Sequence, residues 1–221
     1  MKKELLFIIY LLSFISIGFI DFFYKTRGVF TLSYDIILAS FLIVKYKKSI
    51  KINYVHDYKN IYALLLLILL SIIFNLIFIS YSLQIPKHYD SFFIISIFIK
   101  SFTEELIFRG FWLNQIINKR SKTYSIIVIS LGFALLHYFP GKNIIFAFFG
   151  SIVLSILYLK TKSILNVFTI HLLSNLSIMY LIPLIISITS RHEINYILQI
   201  AIIIILLFIY LLKLFFNDKS K

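Results

Sequence analysis

Apolar runs of about twenty residues recur along the whole chain, separated by short polar stretches rich in Lys and Arg. A run of that length is what an α-helix needs to cross the hydrocarbon core of a bilayer. Eight spans can be drawn, at residues 5–24, 29–46, 60–85, 91–117, 123–139, 142–159, 163–189 and 194–216. The connections are mostly short, and the longest, 47–59, is polar and basic. The first span follows Met1-Lys2-Lys3 but is longer than a signal-peptide core, and no small-residue cleavage pattern follows it. It therefore reads as a retained helix. With no internal repeat and no low-complexity tail, the pattern predicts an all-α polytopic membrane helix bundle, a single transmembrane domain over residues 1–221.

Composition narrows the class. Of 221 residues, 61% are hydrophobic and 14% charged, whereas a soluble domain is nearer 45–50% apolar and about 25% charged. That excludes an ordinary cytosolic enzyme and a disordered chain. Unbroken Ile/Leu/Phe runs, with only six Gly and three Pro, exclude a membrane β-barrel, whose strands alternate apolar and polar positions. Cysteine is absent, which removes disulfides and thiolate metal sites. The net charge of +13 would suggest nucleic acid in a soluble protein. Here the basic residues lie between the spans, where they set topology and meet anionic headgroups, so lipids are the expected partner and nucleic acid is not. The N-terminus, the even-numbered loops and the C-terminus carry 15 Lys and Arg against 5 in the odd-numbered loops. This bias places both termini in the cytoplasm. Richness in Ile, Lys, Phe, Asn and Tyr matches coding by an AT-rich bacterial genome, so the expected location is a bacterial plasma membrane.

Ionisable groups within spans are costly and mark candidate functional positions. Asp21 lies near the end of the first span, where water is close, and reads as structural. Asp35 follows Tyr34, but the Gly-x-Gly-Asp partner motif of an aspartyl dyad occurs nowhere. Asp35 is therefore expected to be a buried, hydrogen-bonded group near a helix end. Glu104 and Glu105 sit in the middle of the fourth span, in KSFTEELIFRGFW. Glu105 and Arg109 are i,i+4 and share a helix face, so they are expected to pair. Glu104 is turned about 100° away. The plain alternative is a structural cluster in which Lys100 pairs Glu104 and Arg109 pairs Glu105.

Three further polar groups bear on that choice. His137 ends the fifth span, and His171 and Asn175 share a face of the seventh. Singly, such groups more often join helices than catalyse. Their depth matters more. Glu104 lies 16 residues before Arg120 and His137 lies 17 after it, so both stand about 24–26 Å from the same turn of an antiparallel hairpin. His171 and Asn175 lie roughly 14–20 Å from the Lys160–Lys162 turn on the same side. A carboxylate, two imidazoles and a carboxamide meeting in a dry pocket form a hydrolytic set. Glu104 can take a proton from water, His137 can orient that water, and His171 with Asn175 can donate to an oxyanion. Glu104, His137 and His171 could instead hold zinc with an open water position. The segment His192–Tyr196 is not a His-Glu-x-x-His motif, and no rhomboid-like Gly-x-Ser-Gly turn occurs.

Glu104-Glu105-x-x-x-Arg109, Phe133-x-x-x-His137 and His171-x-x-x-Asn175 occur in order within 72 residues, each on a predicted membrane helix. Together they resemble the motif set of the CAAX prenyl protease type 2 (Ras-converting) family, also called the Abi or CPBP family. The resemblance covers about residues 90–180. It implies an eight-helix membrane bundle in which Glu104 and His137 activate water, His171 and Asn175 stabilise the oxyanion, and Glu105 and Arg109 support them. The family is often called a metalloprotease, although its chemistry resembles that of a glutamate protease. Asparagine in the fourth place favours a metal-free site, because zinc sites usually keep three strong ligands; the alternative cofactor is zinc on Glu104, His137 and His171. The resemblance implies an intramembrane endopeptidase acting on a membrane-associated peptide or protein. The alternative is a bacteriocin self-immunity or membrane partner protein that binds without cleaving. A proton-relaying transporter ranks third, since the halves of the chain show no paired broken helices.

Overall fold

A computed structural model describes residues 2–24, 29–46, 59–78, 91–137 and 144–177, together with Met179 and Ile209. Helices α1 (Lys2–Tyr24), α2 (Val29–Tyr46) and α3 (Lys59–Phe78) come first. The next helix starts as α4 (Ser91–Glu105), passes through a π-helical segment (Leu106–Leu113) and ends as α5 (Asn114–Ile117). Helices α6 (Lys122–Leu136), α7 (Ile144–Thr161) and α8 (Ile164–Leu176) follow. The described residues are all-helical, without strands, and occupy the first seven expected spans. The connection 47–58, the seventh span beyond its first half and, apart from Ile209, the eighth span lie outside the described residues.

Polarity is distributed inside-out. Outward positions are apolar and large: Ile37, Val44, Leu12 and Ile95 are all more than half exposed. Buried positions include Asp35, Ser101, Thr103, Glu104, Glu105 and Arg109. An apolar exterior around a polar interior is unstable in water and natural in lipid. Helices α2 and α7 are long and apolar enough to cross a membrane.

Local chemistry sets the turns that position the site. Ser121 accepts from the Tyr124 amide at the start of α6 and Ser163 from the Asn166 amide at the start of α8, as helix N-caps do. Between α7 and α8 the chain reverses through Lys162 in a left-handed conformation, φ 53°, which a single non-glycine residue adopts at a helix end at some cost. Asp21, from α1, accepts the Phe30 and Thr31 amides at 3.0 and 2.8 Å, so its carboxylate caps α2.

Two expectations need correction. Asp35 lies in the second turn of α2 with a wholly buried side chain, and among the described residues neither carboxylate oxygen has a hydrogen-bond partner. It is not a hydrogen-bonded end group: two of the amides that the helix end leaves free, those of Phe30 and Thr31, are taken by Asp21, and Asp35 itself lies a turn further in. The fourth span is also not one uniform α-helix. Its π turn places Asn114 so that Nδ2 donates to the Gly110 carbonyl at 2.9 Å and to the Tyr158 hydroxyl at 2.6 Å, tying the irregular segment to α7. Such π turns concentrate at functional sites.

Asn166 joins α8 to α3 by donating to Asn60 Oδ1 at 3.0 Å, both side chains being buried. Asn166→Leu and Asn60→Leu are each expected to lower stability in detergent by about 1 kcal/mol. The double variant should be no worse than either single, which a thermal-unfolding cycle reads directly.

Candidate functional site

Five elements contribute. Helix α4 carries Lys100, Ser101, Glu104 and Glu105, the π segment carries Arg109, and α7 carries Ser151. His137 lies one residue beyond the end of α6, and α8 carries His171 and Asn175. The site thus depends on α4 packing against α8 and on the π segment meeting α6 and α7. The predicted hairpin forms, since the Phe108 and Phe133 rings meet edge to face at 5.2 Å across it.

Glu105 and Arg109 are fully buried and pair at 2.9 Å, as their i,i+4 spacing predicts. Arg109 Nη2 also donates to the Ser151 hydroxyl at 2.8 Å and its carbonyl at 3.2 Å, and its guanidinium lies 4.9 Å from the Phe133 ring centre. Several partners share one cation, which is the condition for keeping it in a dry interior.

Glu105 has a second task that the sequence pattern did not show. His171 Nδ1 lies 2.6 Å from the same Oε1 that takes Arg109. A carboxylate only accepts, so Nδ1 carries the proton and donates. This fixes the ring and turns Nε2 toward Glu104, whose Oε2 is 3.9 Å away. Glu104 is buried to the same degree as His171, and its Oε1 stands 3.9 Å from the Lys100 ammonium. Both ion pairs of the structural alternative are therefore present, but the second is loose, and Glu104 faces an imidazole as well. The order through the site is Arg109, Glu105, His171, Glu104.

His137 and Asn175 sit at its margin. His137 is half-buried; its Nδ1 donates to the Phe133 carbonyl at 2.8 Å, and its ring stacks on Phe133 at 4.4 Å. The Phe133 ring centre is also 5.8 Å from that of His171, so this phenyl group neighbours both imidazoles. Asn175 Nδ2 donates to the buried Ser101 hydroxyl at 3.0 Å. Ser101 and Ser151 are parts of the site that sequence reasoning did not single out. Serines on apolar helices are common, and only the fold shows which ones meet a charge. Among the described residues no group of three or more His, Cys, Asp or Glu is assembled to hold a metal ion. His171 Nδ1 is engaged with Glu105 and His137 Nδ1 with the Phe133 carbonyl, which is also how a metal-binding histidine holds its second ring nitrogen.

Residues 88–177, which contain every residue just described, match the family model for Rce1-like type II CAAX prenyl endopeptidases. Over this segment the chain is similar to the CAAX protease and Abi family. No curated protein and no solved structure matched the chain. The Rce1-like core begins just before α4 and ends with α8, so α1 to α3 stand outside the match. This family is membrane-embedded, in accord with the apolar exterior of the helices.

The Rce1-like core rests on its internal ion pair. Glu105→Ala leaves Arg109 buried against an uncompensated site and should cost about 3–5 kcal/mol. Combining it with Arg109→Ala should recover part of that loss. Thermal stability of both singles and the double in detergent checks this; strictly additive losses would mean the two do not support each other.

Proposed function

We propose that the chain is an intramembrane endopeptidase of the CAAX protease and bacteriocin-processing type, a single membrane domain that hydrolyses a peptide bond of a membrane-associated peptide or protein. The observation that carries this reading is the buried succession of Arg109, Glu105, His171 and Glu104. A structural ion pair needs Glu105 and Arg109; it does not need a second carboxylate aimed at the free nitrogen of an oriented imidazole. At 3.9 Å the His171 Nε2–Glu104 Oε2 separation is too long for a hydrogen bond and suits two groups that share a third. In the reaction that third group is water.

Glu104 takes the proton as the water oxygen attacks the scissile carbonyl, and later returns it to the leaving amine. In its imidazolium form His171, held by Glu105 through Nδ1, donates from Nε2 to the oxyanion of the tetrahedral intermediate, together with Asn175. His137 orients the water from the Phe133 side. Glu105 supports His171 much as a buried carboxylate orients the histidine of a hydrolase triad. Burial strengthens each of these interactions by excluding bulk water. No step is routed through a metal.

Three measurements bear on the mechanism. Glu104→Gln keeps the shape and removes the base, so cleavage should vanish while expression and insertion persist; near-normal cleavage would remove the mechanism. Asn175→Ala should lower kcat by roughly 10²–10³ with little change in KM. Activity should survive strong chelation followed by removal of free metal. Stoichiometric zinc that is lost on chelation together with activity, and that restores activity when returned, would replace the metal-free mechanism and leave Glu104 as the base. A binding-only immunity protein would instead keep its biological effect in the Glu104→Gln variant.

A further inference from the structure

Helices α1 and α2 run antiparallel, since Asp21 meets Phe30 and Thr31 while Ser13 meets Tyr34. Between them lies a groove of about 190 Å³ that plays no part in the proposed reaction. Its α2 wall is Tyr34, Leu38 and Leu42, spaced one turn apart, so it extends about 12 Å along the helix axis. Tyr10, Leu42 and Trp112 form a buried floor, and Leu6 and Ile9, each more than half exposed, form the outer edge. One end is closed by hydroxyls that satisfy each other. Ser13 donates to the Tyr10 carbonyl at 2.8 Å, and Tyr34 donates to Ser13 at 2.7 Å. The other end opens at Leu6 and Leu42, and Lys45 follows about one turn beyond Leu42. Lys45 is exposed, with its ammonium 5.2 and 5.7 Å from the Phe41 and Tyr46 ring centres. This is the end that the excess of Lys and Arg assigns to the cytoplasmic surface.

We propose that this groove is a binding site for one acyl chain of an anionic phospholipid, with the lipid phosphate held at its mouth by Lys45. Shape, polarity and charge each support the assignment. The groove runs along α2, which is long and apolar enough to cross a membrane, and so follows the direction of lipid chains. An apolar cavity of about 150 Å³ accepts a benzene-sized ligand, so this volume takes a run of several methylene groups. The wall is apolar, and the hydroxyls at its closed end are already paired. That suits a hydrocarbon, which offers no hydrogen bonds. A peptide in the same place would bring amides and carbonyls that need partners. An exposed lysine at the open end complements a phosphate and gives no advantage to a neutral lipid. The occupant would also touch the catalytic core from outside. Phe111 and Trp112 belong to the π segment that carries Arg109, and the Tyr46 ring next to Lys45 meets Phe111 at 4.7 Å.

Trp112 is the only tryptophan in the chain, so its fluorescence reports on the floor of the groove alone. The full chain is reconstituted in phosphatidylcholine vesicles that contain a minor fraction of either phosphatidylglycerol or phosphatidylcholine with brominated acyl chains. Bromine quenches an indole on close approach. Brominated phosphatidylglycerol should quench Trp112 about twofold more than the same fraction of brominated phosphatidylcholine. The Ile9→Phe/Leu38→Phe double variant fills the groove from its edge and wall, and should bring both lipids to the same, weaker quenching. Lys45→Gln should abolish the preference for phosphatidylglycerol and leave quenching by brominated phosphatidylcholine as in the parent chain. In detergent, added phosphatidylglycerol should raise the Tm of the parent chain and not that of the filled variant. Equal quenching by the two lipids in the parent chain, or a preference that survives Lys45→Gln, would overturn the proposal. So would relief of the quenching by a prenylated peptide, which would make the groove a substrate site. Lys45→Gln alters only an exposed side chain, so it decides the matter even if the filled variant does not fold. None of these readouts depends on cleavage.

Discussion

A guanidinium can stay inside an apolar bundle only if its counter-charge travels with it, and the Arg109–Glu105 pair meets that requirement within one turn of helix. Both partners come from the same element, so the charge is balanced before any tertiary contact forms. What remains for the fold is to supply the other hydrogen bonds, and each one recruits a helix. Ser151 brings α7 to the guanidinium, and His171 brings α8 to the carboxylate. The Phe133 ring brings α6 against the face of the cation. Weak interhelical attraction in lipid is thus concentrated at one polar centre, and the residues that hold the helices together are those that orient His171.

The π turn belongs to the same constraint. Arg109 and its neighbour Gly110 lie within it, and it begins immediately after Glu105. An inserted irregularity frees backbone groups that need partners in a dry interior. Asn114 supplies one, donating to the Gly110 carbonyl, and is itself held by the Tyr158 hydroxyl. On the α1 side the segment is closed by aromatic packing, with Phe7 and Tyr10 against Phe108 and Trp112. The first helices, which lie outside the family match, therefore enclose the irregular part of the core.

Much of this was legible in the chain because membrane helices are written in long apolar runs and because charge within them stands out. The bounds of α2 agree with the drawn span, and α7 lies within two residues of it. The Glu105–Arg109 contact followed from i,i+4 geometry alone. The π turn was not legible, since Leu-Ile-Phe-Arg-Gly-Phe-Trp-Leu has the same apolar content as an α-helical run. Nor was the Glu105–His171 bond, which joins residues 66 positions apart and depends on how two helices rotate about their own axes. Asp35 misled for a related reason. Its sequence neighbourhood suggests a helix end, but the neighbouring α1 supplies the cap through Asp21 and leaves Asp35 facing inward.

Two adjacent glutamates are what this geometry requires. Consecutive residues on a helix point about 100° apart, so one carboxylate can look along the helix toward Arg109 while the other looks toward Lys100 and His171. An imidazole carries its two nitrogens on different edges of the ring. A histidine arriving from α8 can therefore meet Glu105 with Nδ1 and turn Nε2 to Glu104, as His171 does. With a single glutamate, the same carboxylate would have to balance Arg109, hold the imidazole and act as base. The first two tasks require it to remain paired, and the third requires it to accept a proton. Dividing them between neighbours lets Glu105 hold Arg109 and His171 through one oxygen while Glu104 stands 3.9 Å from both Lys100 and His171. Exchanging the two roles would need the helix to rotate by about that same 100°, which the interlocked Arg109–Ser151 and Asn114–Tyr158 contacts prevent.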